Sequence, residues 1–215
     1  IDFPISNMSN SGIDNIQVYV RRKPRSLTEH LGTGRHYNIN SKRGQLNIMY
    51  TENNRIGDIY STDVAAYIEN MDCIERIHLP YVGIAPSYMV YTADYSTFLS
   101  EHIESGADIS MMYHSVDNAK EAFLNCGTLN INKQKGVLSI EPNHGNAKNK
   151  NISLDTYVMS KELFIDLVKK AHKTSSMYTF ADILNEECEN LDIRAVSHRG
   201  YFAAICDFNS YYHAN

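Results

Sequence analysis

The stretch YVGIAPSYMVYTADYSTFLSEHIESGADISMMYH, residues 81–114, decides the fold class. Tyr81 to Ala85 reads as a buried strand that breaks at Pro86. Asp94 stands where a helix N-cap belongs, a helix runs over Tyr95 to Ser105, and Gly106 stops it before a second strand, ADISMMYH. Strand, helix and strand in this order predict a mostly parallel sheet with helices on both faces. In such a sheet, ligands and metals sit in the loops past the strands' C-terminal ends. A crevice handling a phosphate-bearing substrate would want a carboxylate for Mg²⁺ near Ser87 and Tyr88, and that place holds none.

The same alternation extends outward in both directions. NIQVYV (residues 15–20) alternates as a half-buried strand does. RSLTEHLGTG follows as a helix, with Ser26 and Glu29 as a capping box and Gly32 to Gly34 as its end. Gln45 to Tyr50 is a short strand. STDVAAYIENMDCIERI (residues 61–77) reads as one helix, capped by Ser61, Thr62 or Asp63, with an apolar face of Val64, Tyr67, Ile68 and Met71. Further on, Gly127 to Ile131 and Val137 to Ile140 suggest a hairpin, and ISLDTYVM leads into a helix capped by Ser160. A helix over Phe180 to Asn190, strands over Asp192 to Ser197 and Tyr201 to Cys206, and a last helical turn complete the pass. Neither an internal repeat nor a linker divides the chain, so residues 1–215 are expected to form one α/β domain.

Composition narrows the function classes. The chain has 43% hydrophobic and 21% charged residues, ordinary for a globular domain. A net charge of −5 and a pI near 6.0 give no global basic field, which argues against a nucleic-acid partner. The four cysteines, Cys73, Cys126, Cys188 and Cys206, lack zinc-ligand spacing and read as reduced thiols of a cytoplasmic protein. No apolar run is long enough for a membrane span, and no signal-peptide pattern opens the chain. The chain opens at Ile1 without Met.

Motifs add little by themselves. GTG at Gly32 to Gly34 follows a helix rather than a strand, which makes it a helix end and not a nucleotide loop. RRKPR supplies Arg21, Arg22, Lys23 and Arg25 as a candidate anion or effector site, set against a solvated loop. The nine histidines are scattered, and Asp63 and Asp94 sit where caps commonly do.

The opening IDFPISNMSNSGI, together with SLTEHLGTG, YVGIAPSYMVYTADY, HIESGADIS and the ending GYFAAICDFNSYYHAN, resembles bacterial glucose-1-phosphate adenylyltransferases along nearly the whole chain. The resemblance implies a Rossmann-like nucleotidyltransferase domain. It also implies a phosphate-loop strand before Ile1 and a left-handed β-helix after Asn215, both outside this chain. Active members read roughly S-G-D-H-I-Y where this chain has Pro86 to Tyr91, which puts Tyr88 at their metal-binding Asp. A second metal-binding Asp falls on Ala204. Other pocket positions implied by the resemblance are Arg21, Thr62, Asp63, Ser87, Glu141 in place of a Lys, and Asp155 in place of a Gly.

Adenylyl transfer brings two anions together, so a metal and cationic side chains carry much of the charge stabilisation. A metal contributes several kcal/mol and ~1.4 kcal/mol is tenfold in rate, so losing both carboxylates should cost on the order of a thousandfold or more. The pattern is similar to the non-catalytic GlgD-type subunits of that family. Their resemblance implies a hetero-tetramer with a catalytic subunit, no resident metal, and a nucleotide or sugar-phosphate effector. Two alternatives stay open. One is an active Mg²⁺-dependent adenylyltransferase in which Asp94 or Asp207 takes over the metal; the other is a stand-alone sugar-nucleotide sensor.

Overall fold

A computed structural model describes residues 1–20, 24–32, 34–39, 44–51 and 62–214. In chain order the elements are α1 (Asp2–Asn10), β1 (Asn15–Val20), α2 (Pro24–Leu31), β2 (Gln45–Tyr50), α3 (Asp63–Glu69), α4 (Met71–Glu75), β3 (Tyr81–Ile84), β4 (Met89–Tyr91) and α5 (Tyr95–Ser105). They continue with β5 (Ile109–Val116), β6 (Gly127–Ile131), β7 (Val137–Pro142), β8 (Lys150–Ser160), α6 (Lys161–Thr174), α7 (Phe180–Glu187), β9 (Ile193–Ser197), β10 (Phe202–Ala204) and α8 (Phe208–Ala214).

The main sheet runs β7-β6-β8-β5-β9, with β3 also paired to β8. Here the expectation of a mostly parallel sheet is corrected: the sheet is mixed. β5 and β9 pair in parallel, but β8 runs antiparallel to β3, β5 and β6. Strands β3 and β5 do run the same way, as a strand–helix–strand unit should. The long β8, arriving after the β6–β7 hairpin, inserts between them and turns each contact antiparallel. A separate parallel pair joins β1 to β2, and β4 pairs antiparallel with β10.

Helices cover both faces, and the period-two pattern of the strands explains why. Ile109 and Met111 on β5, with Tyr157 and Met159 on β8, face a core built with Val64, Tyr67, Phe164, Leu167, Phe180 and Leu184 of α3, α6 and α7. Met112, Leu154 and Val158 point the other way, onto Met89 and Tyr91 of β4 and Tyr95 and Phe98 of α5. Ser160 caps α6 by accepting from the Leu163 amide at 3.2 Å, and Gly106 ends α5 at a left-handed φ of 66°, both as the sequence suggests.

Two local expectations change, and one element is new. Ser26 is not a cap, because α2 already starts at Pro24, whose fixed φ and missing N–H suit a first helical position. The helix expected over residues 61–77 is broken at Asn70, whose side-chain amide donates back to the Ala66 carbonyl at 3.0 Å and across to Tyr50 of β2 at 3.3 Å. Thr62 is its cap, accepting from the Ala65 amide at 3.1 Å. The opening block folds as a helix, α1, that steadies the 86–95 loop. Asn7 donates to the Tyr91 carbonyl at 2.9 Å, and Ser11 accepts from the Tyr95 amide at 2.8 Å.

Candidate functional site

Strand β8 bends at Asp155, which holds a left-handed φ of 45°, and the β5–β8 register shifts between Met111 and Tyr113 opposite this point. Left-handed backbone favours Gly, with Asp and Asn the next best tolerated. The geometry therefore fits the Gly that the family resemblance implies for this position.

The Asp155 carboxylate is engaged on both oxygens. Tyr88 donates its hydroxyl to Oδ2. Ser153 Oγ donates to Oδ1 at 2.9 Å and the Tyr157 hydroxyl to the same atom at 3.1 Å. Burial, then the Asp155 charge, pushes the Tyr88 phenol well above its ordinary range. Burial and the same carboxylate do likewise for Tyr157, with Tyr88 and Asp63 adding to the effect. Both phenols therefore stay protonated across the physiological range and act as donors, not as bases.

Ala204 closes the other side. It pairs with Met89 in the β4–β10 ladder, and the next amide, Ile205, donates to the Tyr88 carbonyl at 2.8 Å. Its methyl packs on Cys126 and Ile152, with Phe123 and Phe202 against them. The Cys126 and Cys206 thiols lie 3.4 Å apart at the same place. Burial and the Cys206 contact push the Cys126 thiol up, and its reach to Asp155 adds to this.

The fold thus gathers Tyr88, Asp155 and Ala204 into one neighbourhood. Ser87 precedes Tyr88 at the surface. Thr62 and Asp63 stand behind Tyr157; Asp63 Oδ1 accepts from the Val64 amide at 2.9 Å and the Phe180 amide at 3.0 Å, tying α3 to α7. Glu141 is placed apart, on the β6–β7 hairpin, where it accepts from Asn130 and Ser139, each at 3.1 Å. Arg21, Arg22 and Lys23 lie outside the described residues. Arg25 points into solvent on α2 and pairs with Glu29 at 3.0 Å. Residues the sequence reading passed over are Ser153, Tyr157, Cys126 and Cys206; apart from the resemblance at Asp155, no local pattern marks them.

Mg²⁺ is the ion the family resemblance calls for, and the residues present do not fit it. Mg²⁺ wants near-octahedral oxygen ligands anchored on carboxylates. Ala204 offers no donor atom, the Tyr88 phenol is neutral, and the Asp155 oxygens already accept three hydrogen bonds. Asp94 is the cap of α5, accepting from the Ser96 and Thr97 amides. Asp207 holds the start of α8 by accepting from the Ser210 amide at 2.7 Å. Among the described residues, no group of three or more His, Cys, Asp or Glu side chains could hold a metal ion. Beside the cluster lies an open groove of about 670 Å³, whose lining includes His114, Phe123, Lys150, Asn151 and Phe202. Among the described residues, no helix is long and apolar enough to cross a membrane.

The chain is similar to known proteins along its whole length. It is 27% identical to a glucose-1-phosphate adenylyltransferase of Clostridioides difficile over 222 residues, covering all of this chain and 56% of the relative. It is 25% identical to the glycogen biosynthesis protein GlgD of Geobacillus stearothermophilus, covering 90% of this chain and 46% of that protein. The chain thus spans about half the length of these relatives. The fold matches HddC from Yersinia pseudotuberculosis with a TM-score of 0.69 at 18% identity, covering 98% of this chain and 81% of HddC. It also matches a Bacillus anthracis chain solved with sucrose, with a TM-score of 0.77 at 14% identity, covering 100% of this chain and 80% of that one. The nucleotidyl transferase family model matches residues 1–215, and the chain belongs to that family.

Proposed function

We propose that this protein is a regulatory, catalytically silent relative of the adenylyltransferases of bacterial glycogen biosynthesis. It would act in the cytoplasm, assemble with a catalytic subunit into a hetero-tetramer, and raise that subunit's activity. One observation carries the reading: the Tyr88 hydroxyl is spent on Asp155. A phenol bound to a carboxylate, beside an alanine, stands where the family resemblance implies metal-binding carboxylates.

The chemistry agrees. Phosphoryl-type transfer needs positive charge where anions meet, and this cluster offers one carboxylate, hydroxyl donors and thiols. A similarity to GlgD as well as to the adenylyltransferases supports a place in the same process. A nucleotide or sugar phosphate is the effector class we assign, with Arg21, Arg22, Lys23 and Arg25 as the candidate anion site.

The second reading is an active Mg²⁺-dependent adenylyltransferase, supported by the similarity to the Clostridioides glucose-1-phosphate adenylyltransferase. The capping roles of Asp94 and Asp207 count against it. The deciding experiment measures Mg²⁺-dependent ADP-glucose formation by the protein alone and mixed with a catalytic adenylyltransferase subunit. We expect no turnover alone and a raised rate in the mixture. Turnover alone that disappears in Asp207→Ala or Asp94→Ala would establish the second reading instead.

A further inference from the structure

We propose that Cys126 and Cys206 form an oxidative modification site: a dithiol that a peroxide converts to a reversible intramolecular disulfide. The two sulfurs lie 3.4 Å apart although 80 positions separate them in sequence. A disulfide bond is about 2.05 Å long, so the sulfurs need to approach by roughly 1.4 Å to close it. The remaining thiols sit on other elements: Cys73 on α4 and Cys188 at the end of α7, where its Sγ donates to the Leu184 carbonyl at 3.3 Å.

The two partners differ in a way that suits stepwise oxidation. Cys206 is exposed, on the turn between β10 and α8, with its amide donating to Ser210 Oγ at 3.0 Å. Cys126 is buried at the head of β6, where its carbonyl accepts from the Asn143 amide at 2.8 Å and its amide donates to the Phe123 carbonyl at 3.1 Å. The reachable thiol therefore meets the oxidant, and the anchored one resolves it.

The steps balance. The Cys206 thiolate attacks one peroxide oxygen, the O–O bond breaks, and a sulfenic acid and hydroxide form. Cys126 Sγ then attacks the sulfenic sulfur and displaces hydroxide, which leaves as water with the Cys126 proton. In sum, two thiols and hydrogen peroxide give one disulfide and two waters. The bond would strap the β10–α8 segment to β6, beside the Ile205 amide that holds Tyr88. The proposal rests on this geometry alone and is independent of whether the protein turns over substrate.

The test exposes the reduced protein to hydrogen peroxide and follows free thiols, intact mass and non-reduced peptides. We expect titratable thiols to fall from the four of the sequence to two, with the loss of two hydrogen masses and one peptide joining Cys126 to Cys206. Dithiothreitol should restore all four thiols. Closing so long a loop should also raise the thermal midpoint by several degrees, in wild type but not in Cys206→Ser. In Cys126→Ser, a dimedone adduct should mark the unresolved Cys206. A cross-link through Cys73 or Cys188, a disulfide between two chains, or direct conversion of Cys206 to sulfinic acid without a cross-link would overturn the proposal.

Discussion

Two neighbouring regions along β8 are held together by different means. On the α3, α6 and α7 side, aromatic rings meet mainly ring to ring: Tyr67 and Phe164 lie 5.2 Å apart at 73°, and Phe164 and Phe180 5.5 Å apart. At the bend of the strand, Tyr88, Ser153 and Tyr157 converge on one carboxylate in a strained backbone. Among the described residues neither region leaves a buried side-chain polar atom without a partner. The first region is stabilised by area removed from water and tolerates small shifts. The second depends on one acceptor, so its stability is concentrated in a single residue.

The largest effect tests the apolar side. Phe180 is 1% exposed and touches Tyr67, Tyr157 and Phe164. Phe180→Ala should cost roughly 3–5 kcal/mol, read from the urea midpoint at unchanged slope. A loss under about 1 kcal/mol would mean the ring stack is not a close-packed core.

Next comes the acceptor itself. Asp155→Ala strands the Tyr88 and Tyr157 donors and keeps the left-handed backbone, so it should cost roughly 2 kcal/mol or more. Asp155→Gly strands the same donors but relaxes the backbone, and should be about 1 kcal/mol more stable than the alanine variant. Equal stabilities would show that the bend at Asp155 carries no conformational strain. Tyr88→Phe removes one donor and leaves Asp155 with Ser153 and Tyr157; about 1–2 kcal/mol should be lost.

This contrast also separates what the sequence could reveal from what it could not. Strands β1 and β2 fall on the stretches read as strands, 15–20 and 45–50, and at 15–20 the period-two alternation is a local signal. The caps Asp94 and Ser160 were equally legible, since a cap is decided within three or four residues, whereas Thr62 was one of three candidates beside Ser61 and Asp63. The order of strands was not. The insertion of β8 between β3 and β5 is a pairing of segments some 75 and 40 residues apart, which no local pattern encodes. In the site, the loop after β3 already marked Tyr88, whereas Asp155 and Ala204 were singled out only because a family resemblance placed them. Cys126, just before β6, and Cys206, just after β10, meet beside the apolar cluster of Ile152 and Ala204, so their spacing along the chain carried no sign of it.

The smallest effect lies away from both regions, at the start of α5, and it turns on charge. Asp94 accepts from Ser96 and Thr97 at the start of α5, and those hydrogen bonds lower its pKa from 3.8 to about 2. A carboxylate depressed on folding contributes stability above its unfolded pKa and loses it as pH falls through the folded value. Asn is also a good cap but cannot ionise. Asp94→Asn should therefore be slightly less stable than wild type at neutral pH. The gap should narrow from about pH 4 downward and vanish only once the pH is well below the folded value of about 2, where the wild-type carboxyl is protonated too. Thermal midpoints of the two proteins across that range check it. A gap that stays constant with pH would mean the cap acts through hydrogen-bond geometry alone, and that the carboxylate charge adds nothing at the start of α5.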